Sequence, residues 1–276
     1  VRGHDAGFVS AYGAKHREAE RAGSKRGEGA GRKILVIDVG GTHVKVLATG
    51  QRVPRKVLSG RTMTAAKMVK DVKEMTRDWK YDVISIGYPG PVVLGKALHE
   101  PCNLGAGWVG FDFRKAFGKP VKVVNDAAMQ ALGSYRGGRM LFLGLGTGLG
   151  SAMVVDGIVQ PMELAHLPYK KGKTYEDYVG LRGLERLGKK KWRKHVEDVV
   201  ERLRAALEPD YIVLGGGNVK KLKKLPEGAE RGDNENAFRG GFRLWSTEQA
   251  EIPARWSSSK QRQAGPRISC TSMRSR

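Results

Sequence analysis

Lys33-Ile-Leu-Val-Ile-Asp38-Val-Gly-Gly-Thr42-His-Val-Lys45 is the stretch on which the fold turns. A β-branched run ends in a glycine pair, and a second strand, His43–Ala48, starts directly behind it. Glycine lets backbone N–H groups close around an anion, and Thr or Lys adds side-chain donors. A single glycine turn after a strand is weak evidence, but the arrangement recurs twice. Met140–Gly144 is read as a strand leading into Gly144-Leu-Gly-Thr147-Gly-Leu-Gly150, and Tyr211–Leu214 as a strand leading into Gly215-Gly-Gly-Asn218. None of the three matches GxxxxGK[ST] or GxGxxG, so neither a P-loop NTPase nor a dinucleotide fold is supported.

Outward from these loops the pattern alternates. Val53–Leu58 reads as a strand and Thr62–Trp79 as an amphipathic helix. Asp82–Ile86 and Val121–Val124 read as strands, followed by a helix over Ala127–Tyr135. In the second half, Ala152–Val155 and Ile158–Val159 form a hairpin around Asp156-Gly157. Tyr175–Leu187 and Trp192–Leu207 read as helices, the latter with Trp192, Val196, Val199, Val200, Leu203 and Leu207 on one face and Pro209 as its stop. Two strand–hairpin–helix halves predict an α/β protein of two similar lobes around a cleft. The expected lobes are 34–137 and 138–245, between a disordered basic extension at 1–33 and a disordered basic tail at 246–276.

The chain has 276 residues, 38 of them glycine, and a formal net charge of +22. The ends contribute +4 each, so the middle keeps +14, a field that attracts polyanions. Two cysteines make neither a disulfide framework nor a Cys-rich zinc site. No run of about 18 apolar residues offers a membrane span. The N-terminus has no apolar signal-peptide core, so a cytoplasmic location is expected. The chain opens on Val1 rather than Met, and no function is built on either end.

With these motifs in view, Asp38-Val-Gly-Gly-Thr42 resembles the first phosphate motif of the ROK sugar kinases, a branch of the actin-like (ribonuclease H-like) ATPase fold. Asn103-Leu-Gly-Ala-Gly-Trp108-Val-Gly-Phe-Asp-Phe113, Val124-Asn-Asp126-Ala-Ala-Met-Gln-Ala-Leu-Gly-Ser-Tyr135 and Leu143–Ser151 resemble that family's polyphosphate glucokinases. So do Glu163-Leu-Ala-His166-Leu-Pro-Tyr169 and Thr174-Tyr-Glu176-Asp-Tyr-Val-Gly-Leu181, and the similarity runs from about Ile34 to Trp245. The resemblance implies Asp126 as catalytic base and Asn103, Asn125, Glu163, His166 and Glu176 as partners of the sugar hydroxyls. It assigns Gly40, Gly41, Thr42 and Lys45 to the first phosphate loop, with Asp38 near the metal. Gly146, Thr147 and Gly148 fall to the second loop, and Gly216 and Gly217 to the nucleotide turn. It further implies glucose as acceptor, Mg²⁺ with the donor, and a homodimer.

The residue types suit that chemistry. Phosphoryl transfer depends on positioning and charge neutralisation more than on covalent help, and a carboxylate near the acceptor hydroxyl assists its deprotonation. Each residue also has a plainer reading. Asp126 would cap a helix from Ala127, Lys45 would be a solvated strand lysine, and His166 an ordinary histidine. Many ROK kinases hold zinc in a CxCGxxGC cluster. Lys170–Tyr178 has no cysteine, so no structural zinc is expected. Ala165 stands where the wider family usually has glycine, which excludes a required positive φ there.

The donor is read from charge. Lys189, Lys190, Lys191, Arg193 and Lys194 form one basic run, and Lys220, Lys221, Lys223 and Lys224 another. Such runs are ordinarily solvated faces, but here they favour a track for inorganic polyphosphate, with ATP or GTP as a second donor. The alternative is a strictly ATP-dependent ROK hexokinase acting on glucose, mannose or a related hexose. A sugar-sensing repressor would need an N-terminal helix-turn-helix, for which residues 1–33 are too short and glycine-rich. Specific nucleic-acid recognition lacks any motif.

Overall fold

The computed structural model describes residues 31–233 and 235–246. Nearly all of both expected tails therefore lies outside the described residues. The elements in order are β1 (Ile34–Val39), β2 (His43–Ala48), β3 (Arg55–Leu58), α1 (Ala65–Met75), β4 (Val83–Tyr88), β5 (Val92–Val93), β6 (Lys96–Ala97), α2 (Phe113–Phe117), β7 (Val121–Asn125) and α3 (Asp126–Ser134). Then come β8 (Arg139–Leu145), β9 (Leu149–Val155), β10 (Ile158–Met162), a 3-10 turn at Leu164–His166, α4 (Tyr175–Val179), α5 (Leu181–Leu207), β11 (Tyr211–Gly215), β12 (Ala229–Arg231) and α6 (Asn236–Arg243).

The first sheet has the order β3-β2-β1-β4-β7 and the second β10-β9-β8-β11-β12. In each, the first strand pairs antiparallel with the next strand in sequence and parallel with a strand reached through a helix. The two halves thus share one topology, although their sequences show no close repeat. The β-branched and aliphatic run of β1 is buried on both faces, as a central strand must be.

Helix α1 buries Ala65, Met68, Val69 and Val72 against the first sheet. Its N-terminus is set by Thr64, whose side chain accepts from the Lys67 N–H at 3.2 Å. Helix α5 buries Trp192, Val196, Val199, Val200 and Leu203, the apolar face expected from spacing. The expected break between two helices falls at Gly188, whose φ of 71° interrupts α5, and a second break lies at Gly180 between α4 and α5. β9 and β10 reach further than periodicity showed, because their ladder continues through Pro161 and Met162 opposite Ala152 and Ser151, whereas β3 starts two residues later than expected, at Arg55.

Helices α3 and α6 join the two halves. Ala127, Ala128 and Ala131 of α3 pack with Met140, Phe142, Ala152, Val154 and Val213 of the second sheet. Met129 of α3 instead clusters with Ile34, Val36 and Val83 of the first sheet and with Ala237 and Phe238 of α6. The two helices cross with their backbones nearly touching: a Cβ on Gly133 would lie 1.8 Å from the Asn236 carbonyl oxygen. Ser85 Oγ donates to the Gly241 carbonyl at 2.6 Å, and Asn236 Nδ2 donates to Ser134 Oγ at 2.9 Å, so buried polar groups at this junction are satisfied. Among the described residues, no helix is long and apolar enough to cross a membrane.

Candidate active site

Parallel pairing aligns the strand ends. Asp38 lies opposite Gly87, and Tyr88 opposite Asn125, so Asp38 and the β7–α3 junction share the C-terminal edge of the first sheet. That edge is where open α/β sheets collect ligand groups. The cap that the plainer reading gave to Asp126 falls one residue earlier. Helix α3 begins at Asp126, and its N-cap is Asn125, whose Oδ1 accepts from the Ala128 N–H at 3.1 Å. Asn125 Nδ2 donates to the Gly90 carbonyl at 3.0 Å, so both ends of this amide hold local structure. Asp126 Oδ1 accepts from the Ala127 N–H at 2.8 Å.

Asp126 is half-buried. Desolvation pushes its pKa up to about 7, and the negative charges of Asp38 and Glu163 push the same way against the Ala127 N–H. Asp38 is likewise raised by burial, with Lys45 pulling it back down. The Lys45 Nζ stands 3.6 Å from Asp38 Oδ2, so this lysine is ion-paired on the antiparallel neighbour of β1. A carboxyl poised near neutrality beside other acidic groups can exchange a proton at physiological pH.

The first glycine loop is open to solvent at Gly41 and Thr42 and braced from behind. The Gly40 N–H donates to the His43 carbonyl at 3.0 Å, and Ser59 Oγ donates to the Gly40 carbonyl at 2.6 Å. Asn103 sits against this loop, with its Cβ 3.3 Å from where a Cβ on Gly41 would lie. The segment carrying Asn103 is fastened at both ends. Tyr88 donates its hydroxyl to the His99 carbonyl at 2.7 Å, and the Glu100 carboxylate accepts from the Trp108 N–H at 3.0 Å.

The second loop is tied to the first helix junction and to the third glycine turn. A Cβ on Gly150 would lie 2.9 Å from Ala127 Cβ, which brings the base of this loop to the start of α3. Gly146, Thr147 and Gly148 leave their outer surface accessible, with Thr147 exposed. Gly216 adopts a φ of 84°, and a Cβ there would lie 2.5 Å from the Leu145 carbonyl oxygen, so glycine is required twice over. Gly217 is exposed beside it.

Glu163 and His166 flank the 3-10 turn. Glu163 Oε2 and His166 Nε2 are 3.8 Å apart, with the side chains 53% and 73% exposed, so both face open space. Ala165 is buried within the turn and lies outside the left-handed region, as its identity required. Glu176, expected beside the sugar, lies against the second loop. Its Oε2 accepts from the Leu149 N–H at 3.3 Å and lies 2.2 Å from where a Cβ on Gly148 would be, and Oε1 faces Arg182 Nη2 at 3.5 Å.

Two contributors escaped the sequence reading. Ser59 gives no local signal. Asn218 ends the third glycine turn, and its residue type was a usable one: the buried Nδ2 donates to the Gly146 carbonyl at 2.8 Å and the N–H to the Leu145 carbonyl at 2.9 Å.

Asp38 presents one carboxylate at the first glycine loop, a donor that could share a magnesium ion with phosphate and water. One or two carboxylates plus phosphate and water is the usual protein share for this ion, and among the described residues no group of three or more His, Cys, Asp or Glu side chains is arranged to cage a metal.

Residues 34–161 match the model of the ROK family. The chain is 29% identical over 210 residues to a polyphosphate glucokinase of Mycobacterium tuberculosis (strain CDC 1551 / Oshkosh), covering 68% of this chain and 78% of that protein. Its fold matches that of an inorganic polyphosphate/ATP-glucomannokinase from Arthrobacter sp. strain KM with a TM-score of 0.67 at 22% identity, over 77% of this chain and 98% of the other. A ROK family glucokinase from Streptomyces griseus, solved with glucose and AMPPNP, matches with a TM-score of 0.59 at 16% identity, over 77% and 98%. The fold is the actin-like one that the motifs implied.

Proposed function

We propose that this relative of the ROK sugar kinases transfers a phosphoryl group to the 6-hydroxyl of glucose, with Asp126 as general base. The observation that carries the reading is the Asp126 carboxyl: half-buried at the edge of the first sheet, raised to about 7, and adjacent through Ala127 and Gly150 to the second glycine loop. In this account the hydroxyl is held by Glu163 and His166, with Asn103 at the first loop. Asp126 accepts its proton as the oxygen attacks the terminal phosphorus, and the bond from that phosphorus to the bridging oxygen breaks, releasing the donor shortened by one phosphoryl group. The N–H groups of Gly41, Thr42, Thr147 and Gly148 face the donor phosphates, Gly40 and Gly146 shape the two loops through N–H bonds of their own to His43, Gly144 and Gly148, and Gly216 and Gly217 border the donor's far end. Magnesium, when bound with the donor near Asp38, supplies neutralisation of phosphate charge. Lys45 contributes either directly or by exchanging its ion pair with Asp38 for one with phosphate. Asn125 and Glu176 serve as supports, since their polar atoms hold the α3 start and the second loop. The catalytic lobes are taken as 34–137 and 138–245, closing on the substrates and working as a homodimer in the cytoplasm.

For the donor we favour inorganic polyphosphate, with ATP or GTP as a second. Lys189, Lys190, Lys191, Arg193 and Lys194 on α5 and Lys220, Lys221, Lys223 and Lys224 after the third glycine turn form no ion pair among the described residues. The two runs meet where Arg193 Nε donates to the Lys221 carbonyl at 2.7 Å. Lys221 Nζ then donates to Asn218 Oδ1 at 2.8 Å, and Asn218 reaches the second glycine loop. An uncompensated cationic surface continuous with a phosphate loop suits a long polyanion.

The test is glucose phosphorylation with Mg²⁺ and either long-chain polyphosphate or ATP, each freed of the other. Turnover with polyphosphate supports the full reading. Turnover with ATP alone keeps the kinase and removes the polyphosphate assignment, and no glucose 6-phosphate from either donor refutes both.

A further inference from the structure

We propose that Tyr169, anchored by Asp198 and His195 of α5, is a positioning residue that holds the Glu163–His166 turn in place and thereby sets affinity for the sugar. The inference rests on the kinase reading for its functional half. Leu167–Tyr175 is a closed hairpin between the turn and α4. The Tyr175 N–H donates to the Leu167 carbonyl at 3.1 Å, the Tyr169 N–H to the Lys173 carbonyl at 2.8 Å, and the Leu167 N–H to the Leu164 carbonyl at 3.2 Å. These bonds are local and fix the hairpin's shape but not its place on the protein.

At its inner end the Leu164 N–H donates to Ser151 Oγ of β9 at 3.1 Å and Ala165 is buried, whereas beyond His166 the hairpin is placed on α5 by Tyr169. The Tyr169 hydroxyl donates to Asp198 Oδ2, which as a carboxylate only accepts. The phenol has one proton, so its oxygen must accept from His195 Nδ1 at 3.0 Å, which assigns the Nδ1–H tautomer to His195. Lys170 Nζ and Arg202 Nε complete Asp198 at 2.9 and 3.0 Å. Asp198 carries the cost of partial burial and is still held down to about 2 by these three donors. The Tyr169 ring stands edge-on to Tyr175, Tyr178 and His195, with centroids 5.3, 4.9 and 5.7 Å away. Such a network is directional, fully partnered and attached to the core side of α5 through Val196, Val199 and Val200.

Glu176 does not depend on it. Asp177 Oδ2 accepts both the N–H and the hydroxyl of Thr174 at 3.0 Å, so α4 is capped from within and Tyr178 and Val179 hold it to the core. Loosening Tyr169 should therefore release the Glu163–His166 side of the hairpin and leave the second glycine loop intact.

The experiment is Tyr169→Phe, which keeps the ring and removes the hydroxyl, together with Asp198→Asn. Both are read by steady-state kinetics and by backbone hydrogen exchange over residues 163–175. The expected result is a KM for glucose raised about tenfold, the value of one well-formed hydrogen bond, with kcat and donor KM within twofold. Exchange at residues 163–175 should quicken while α5 stays protected. Unchanged exchange overturns the proposal, and so does an equal loss on the sugar and donor sides. Should the wild type phosphorylate no sugar, the kinase reading fails by itself, and the exchange measurement still decides whether Tyr169 holds the turn.

Discussion

Asn218 donates from Nδ2 to the carbonyl of Gly146 across 2.8 Å, and by this bond the third glycine turn holds the second. The Gly146 N–H is also bonded within the loop, to the Gly144 and Gly148 carbonyls at 3.1 Å, so both polar groups of this residue hold the loop's shape. Asn218→Ala leaves the Gly146 carbonyl without its partner and should destabilise the protein by about 1–3 kcal/mol. Donor KM should rise several-fold with either donor, while glucose KM stays put. Thermal unfolding and two-substrate kinetics on the one variant check both halves.

The cationic surface predicts a donor-specific salt effect. Replacing Lys189, Lys190, Lys191, Lys220, Lys223 and Lys224 with Gln should lower kcat/KM for long-chain polyphosphate by more than tenfold and for ATP by less than threefold. The wild type's polyphosphate rate should also fall steeply between low and physiological salt, where the screening length drops to about 8 Å. Equal losses with both donors would reduce these lysines to solvated surface.

Asp126 links activity and stability through pH. Its folded pKa of about 7 lies above the ordinary carboxyl value, so the folded state binds the extra proton. Between about pH 4 and 7 the unfolded chain binds fewer protons than the folded one, and this group's contribution to stability falls as pH rises. Glucose kcat/KM should climb through the same window as the base ionises. Asp126→Asn should flatten the stability decline, measured as Tm at pH 5 and pH 8, because the amide does not titrate.

Much of this arrangement is legible from local sequence, and the exceptions have physical causes. The strand–glycine–strand unit at 34–48 needs only neighbours to form, so β-branched residues and the glycine pair announce it. The Asn125-Asp126 pair announces a helix start, but either side chain can cap, and only the fold decides that Asn125 does so and frees Asp126. Glu176 finds its partner at Leu149, 27 positions away, through a contact no local spacing encodes. Helix α6 reads Asn-Ala-Phe-Arg-Gly-Gly-Phe-Arg and has poor intrinsic propensity. Its glycines are there because Cβ atoms on Gly240 and Gly241 would strike the Met129 carbonyl oxygen and Val36.

The central claim is that Asp126 takes the proton of the attacking hydroxyl. Purified Asp126→Asn protein should be assayed for glucose phosphorylation with the donor that the wild type uses, beside glucose binding by calorimetry. A fall in kcat of at least about 10²-fold with glucose affinity within a few-fold of wild type is the predicted result. A variant that turns over at near the wild-type rate would contradict the account.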